Sequence, residues 1–142
     1  WRLVTLSPDS GNDTYWTGKA FGRAAQVVHI ADQVGKTTAR DHLVDSMKTR
    51  LSDWLTVSPG ETERGFWYNS QWGTLIGYPA SYGSDTDLND HHFHYGYYVV
   101  AAATVAQYDP AWAQSNAYGG MVNTVIKDAA NWDRSDTRFP FL

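Results

Sequence analysis

The chain has 142 residues, 42% of them apolar and 18% charged, with a formal net charge of −4. That balance describes a globular chain of one domain's length, and without a basic run to displace phosphate counterions it argues against a nucleic-acid partner. No apolar stretch approaches the roughly 20 residues that span a bilayer, so no membrane is expected, and the absence of cysteine excludes disulfides and thiolate metal sites.

Residues 16–34 carry Phe21, Ala24, Val27, Val28, Ala31 and Val34 at helical spacing, with Gly35 as a C-terminal stop. A second helix is predicted from Thr38 to Leu55. Thr38 and Asp41 stand in a capping-box-like arrangement, and Leu43, Met47, Leu51, Trp54 and Leu55 form one apolar stripe. The short link between the two helices predicts an antiparallel hairpin. Residues 66–78, FWYNSQWGTLIGY, break the helical period and read as a short β-hairpin or extended loop. Residues 79–89 are an irregular loop rich in turn formers. A third helix is predicted from Asp90 to Tyr108, followed by a turn at Asp109-Pro110. A fourth runs near Gly119–Trp132, with Val122, Val125, Ile126 and Ala129 facing in. From Val99 to Ala106 every residue but Thr104 is apolar, so the third helix is expected to be buried on most sides. Its polar start then lines a cavity, because buried polar groups need partners.

Seven Trp and nine Tyr exceed what a small core needs, since their N–H and O–H groups want partners when buried. Flat aromatic surfaces suit the apolar faces of sugar rings. Composition is equally compatible with a Trp-rich core whose tyrosines sit at its edge.

The segment Asp87–Asp109 places a carboxylate, three histidines and four tyrosines against the apolar run. On a helix, Asp90, His94 and Tyr97 project from one face. The consecutive residues NDHHFHYGY, 89–97, closely resemble the signature of glycoside hydrolase family 81, the endo-β-1,3-glucanases. The resemblance implies part of an (α/α)6 barrel and hydrolysis of internal β-1,3-glucosidic bonds with inversion. It implies a β-1,3-glucan of the laminarin type as partner, no cofactor, and a secreted protein. The chain matches only the middle of the much longer family module. Together with the WRLVTL start, which lacks Met, and the apolar RFPFL end, that suggests a piece of a larger catalytic domain.

Asp90 aligns with the family's general acid, which protonates the departing glycosidic oxygen. The competing reading is that Asp90, or Asn89, caps the third helix. A general acid near neutral pH needs a raised pKa, whereas a helix N-terminus lowers it; burial or a second carboxylate must oppose that. Glu61 and Glu63 read as an exposed turn, while Asp85 and Asp87 precede Asp90 in the loop. The family uses a glutamate from a downstream motif, which has no match before Leu142, so the base is expected outside this chain.

His94, one turn beyond Asp90, is expected to bind a substrate hydroxyl or orient the acid, and Tyr97 shares its face. His91 is a further contact or, like His92, a core histidine. Tyr68, Trp72 and Tyr82 lie in the irregular segments that would form a groove wall. The same residues admit two rivals to the glucanase reading: an inactive carbohydrate-binding fragment, or a metal-dependent hydrolase using Asp90, His91 and His94. DTDLND mimics a calcium loop but places Asp90 where Gly is required and Gly96 where Glu is.

Overall fold

The computed structural model describes residues 11–140, so the WRLVTL start and the last two residues lie outside it. Its elements are α1 (Thr14–Gln33), α2 (Thr37–Trp54), β1 (Gly65–Asn69), β2 (Thr74–Tyr78), α3 (His91–Tyr108) and α4 (Gly119–Ala130).

Helix α1 begins where Asp13 accepts hydrogen bonds from the Tyr15 and Trp16 backbone N–H groups, each at 2.9 Å. It ends at Gly35 as expected. With Gly35 at φ +70°, Lys36 N–H reaches Ala31 O and Gly35 N–H reaches Asp32 O, the paired closure of a Schellman motif. Val34 is 61% exposed, so the apolar series of α1 faces inward only as far as Ala31. The expected cap of α2 is corrected. Lys36 occupies the cap position with no side-chain bond, and Asp41 pairs with Arg40 instead. The stripe of α2 does point inward, with Leu43, Met47, Leu51 and Trp54 buried.

The aromatic segment forms a two-stranded antiparallel hairpin registered from Gly65 opposite Tyr78 to Asn69 opposite Thr74. Asn69 Oδ1 accepts from Gln71 and Trp72 N–H and shapes its tip. Tyr95 of α3 ties β2 down by accepting Gly77 N–H at 3.0 Å and donating to Leu75 O.

Helix α3 packs against α1, α2 and α4. A chain of edge-on rings, Phe21–Tyr98–Phe66–Tyr95, with Trp54 against Tyr98, joins α1, α2, β1 and α3 at centroid distances of 5.0–5.3 Å. All five rings are buried, so much of the aromatic surplus forms the core. As expected, α3 is buried on most sides; the stripe through Val100, which is 51% exposed, and Ala103 stays open. Helix α4 stops at Ala130, leaving Trp132 beyond it and exposed, and of its four expected inward residues only Val125 is fully buried.

Candidate active site

Asp90 stands immediately before α3 with φ 58° and ψ 23°, in the left-handed region. That conformation is uncommon for a side-chain-bearing residue, and Asp is among the few enriched there. Its carbonyl accepts Phe93 N–H at 3.0 Å and His94 N–H at 2.8 Å, starting the helix through backbone alone. Its carboxylate makes no capping bond, and the Asn89 amide instead donates to Tyr82 O. The side-chain caps expected of either residue are therefore not formed, and Asp90 is among the residues that line a cleft. That cleft has a volume of about 330 Å³ and is bounded by Thr74, Leu88, Asp90, His91, His92, Asp128 and Ala129.

His91 is held at both ring nitrogens. Nδ1 lies 2.8 Å from Asp128 Oδ2, and Nε2 lies 2.7 Å from the Ser84 carbonyl. Both partners only accept, so the geometry calls for two ring protons, which is the imidazolium. Burial disfavours that charged form, but the hydrogen bonds to Asp128 and Ser84, with the Asp128 charge, outweigh it and hold the His91 pKa above the ordinary value. Asp128 in turn accepts from the Thr74 hydroxyl and the Leu75 N–H, each at 2.6 Å, and its side chain is 1% exposed.

Asp128 had no place among the residues expected from the sequence, although one signal was available. An aspartate in the last turn of a helix opposes the helix dipole, which is tolerable when a partner compensates. His91 is that partner, from 37 residues away.

His94 is 1% exposed, with Nδ1 3.0 Å from the Thr14 hydroxyl and its ring against Tyr15. Burial lowers its pKa, against the opposing charges of Asp90 and Asp13. As placed, His94 joins α3 to α1 and backs Asp90 from inside.

Tyr97 leans into the surface of α1 left open by Gly18 and Gly22, half-buried. Tyr68 donates its hydroxyl to Arg138 O and packs on Phe139, so it braces the C-terminal segment. Trp72 is exposed at the hairpin tip. Tyr82 is 60% exposed and meets Tyr15 edge-on at 4.9 Å. Sequence reasoning missed Tyr15, Trp16 and Phe93, which share that aromatic surface: Tyr15 contacts both other rings, and Phe93 is 48% exposed.

No glutamate lines the cleft. Glu61 Oε2 accepts Ser58 N–H in a turn, Glu63 is exposed, and neither Asp85 nor Asp87 borders the cleft. Both oxygens of Asp128 are engaged. For the metal reading, His91 has no free ring nitrogen, His94 turns to Thr14, and no three His, Asp or Glu side chains among the described residues are grouped to hold an ion.

The profile of the glycosyl hydrolase family 81 C-terminal domain matches residues 5–142. The chain belongs to glycoside hydrolase family 81. It is 57% identical over 130 residues to a glucan endo-1,3-beta-D-glucosidase of Acetivibrio thermocellus, covering 92% of this chain. It is 57% identical over 132 residues to one of Thermobifida fusca, again covering 92% of this chain. The family 81 chain spans only 17% of the length of each of these relatives. A solved structure of a family 81 glycoside hydrolase from Clostridium thermocellum superposes with a TM-score of 0.93 at 53% identity, covering 99% of this chain and 20% of that one.

Proposed function

We propose that this family 81 chain supplies the general-acid half of an endo-acting β-1,3-glucan hydrolase that works with inversion. The observation that carries this reading is Asp90, uncommitted to any cap, lining a cleft within the segment NDHHFHYGY. Asp90 donates its proton to the departing glycosidic oxygen. A glutamate outside residues 1–142 activates water on the opposite face of the sugar, at the separation of roughly 6.5–9.5 Å that inversion requires. Tyr82, with Tyr15, Trp16 and Phe93, offers ring faces for glucose units entering beside Asp90; Trp72 is a more distant candidate platform. Tyr97, Tyr68, His91 and His94 act behind this surface by packing and hydrogen bonding. The helix pairs α1–α2 and α3–α4 form part of an (α/α)6 barrel in a larger catalytic domain, a reading supported by the superposition on the longer family 81 structure. The protein acts on extracellular glucan and is secreted.

The test is a chimaera in which this chain replaces the aligned segment of the Acetivibrio thermocellus relative. The unmodified chimaera should release reducing ends from laminarin. Asp90→Asn keeps the shape but has no proton to give, so turnover should fall by about 10²-fold or more with binding retained, the usual scale of acid catalysis. Retention of more than about a tenth of the turnover would overturn the assignment of Asp90.

A second reading is favoured by one observation, the absence of a glutamate from the cleft. On its own the chain then binds glucan without cleaving it.

A further inference from the structure

One carboxylate fastens three separate parts of the chain around the residue before α3. Asp128 of α4 holds the start of β2 through Thr74 and Leu75, and holds the first residue of α3 through His91. The far side of the His91 ring continues the connection to Ser84, fully buried in the loop that leads back to Asp90. That loop is itself closed by Asp87 N–H and Asn89 N–H on Gly83 O. Asp90 thus lies between two anchored points, Asn89 and His91. A left-handed aspartate held less firmly relaxes toward commoner backbone regions, because such conformations persist only where the surroundings over-determine them.

We propose that Asp128 is a positioning residue for Asp90: the Thr74–Asp128–His91–Ser84 chain fixes the left-handed turn that aims the Asp90 carboxylate into the cleft. The inference rests on the reading of Asp90 as the acid, but its decisive measurement does not use activity. Phe93 and His94 N–H both bond to Asp90 O, so their hydrogen exchange reports directly on that turn.

In the chimaera, Asp128→Ala leaves the Thr74 hydroxyl, the Leu75 N–H and His91 without their buried acceptor. Exchange at Phe93 and His94 should then accelerate about tenfold or more, the scale of an unmet buried partner, while α1 and α2 amides stay protected. Asp128→Asn should restore most of the protection, because its oxygen still accepts from Leu75 and its amide can donate to neutral His91. Thr74→Val, which removes one donor and keeps the shape, gives a milder test of the same sign if the alanine variant fails to fold. In the chimaera, Asp128→Ala should lower kcat about tenfold or more with KM little changed, as for an interaction felt in the transition state.

Unchanged exchange at Phe93 and His94 in a folded Asp128→Ala chain would overturn the proposal, as would acceleration spread evenly over α1 and α2. If Asp90→Asn leaves turnover intact while Asp128→Ala still loosens Phe93 and His94, the assignment of Asp90 as acid fails and the clamp itself stands.

Discussion

His91 and His94 sit one helical turn apart, and their surroundings move them in opposite directions. The His91 pKa stands above the ordinary 6.5 because Asp128 and Ser84 overcome its burial. His94 stands below 6.5 because burial beside Thr14 prevails. For His91 the folded chain binds more protons than the unfolded one. Its contribution is complete below about 6.5 and is lost as pH rises through the raised folded value. For His94 the folded chain binds fewer protons. Its contribution is complete above about 6.5 and is lost as pH falls toward the lowered value. Urea midpoints measured from about pH 5 to 9 should therefore decline on both sides of neutrality. His91→Asn should flatten the alkaline decline, and His94→Asn the acid one. Identical slopes in the variants and the unmodified chain would show that these rings do not govern the pH response. The sequence placed both histidines beside Asp90 but not their partners. Thr14 and Asp128 lie 80 and 37 residues away, beyond the reach of any local pattern.

Among the elements, α1 and α3 approach closely at Gly18. A Cβ at Gly18 would lie 3.0 Å from Tyr97 Cδ2 and 3.2 Å from the His94 carbonyl oxygen. Gly18→Ala gains about 1 kcal/mol in helix propensity. Overpacking costs typically about 1–3 kcal/mol, and here one of the crowded atoms is backbone, which yields least. A lowered thermal midpoint is expected, with α3 displaced from α1; a raised midpoint would show that the helices separate freely. The order of helices and the hairpin were legible because their signals are local: apolar spacing, Gly35, and aromatic residues interrupted by glycine. The cap of α2 was misread because Arg40 competes for Asp41, and Asp32 holds the same guanidinium. The inward face of α4 was overstated because periodicity gives direction but not what stands opposite. The place of Asp90 at the start of α3 was legible through its neighbours in sequence, whereas its left-handed backbone and the aromatic surface beside it are products of tertiary contact.

For the whole molecule, Ile30 at 57%, Val34 at 61% and Val100 at 51% exposure leave apolar side chains of α1, its C-terminal cap and α3 uncovered. Apolar surface left in water favours association, so light scattering should show mass rising with concentration. The same preparation should release no reducing ends from laminarin, for want of a glutamate at the cleft. A monodisperse monomer that hydrolyses laminarin at ordinary enzymatic rates would contradict both expectations and direct mutation to Glu61, Glu63, Asp85 and Asp87. The position of Asp128 has a consequence in time as well. Its bonds to Thr74 and His91 close loops of 54 and 37 residues, and contacts of such separation form late because chain entropy opposes them. During synthesis the residue before α3 emerges ahead of α4, with only the local bonds of its loop and of the first turn of α3 to shape it. The hold that Asp128 exerts on that turn can be completed only once α4 has followed.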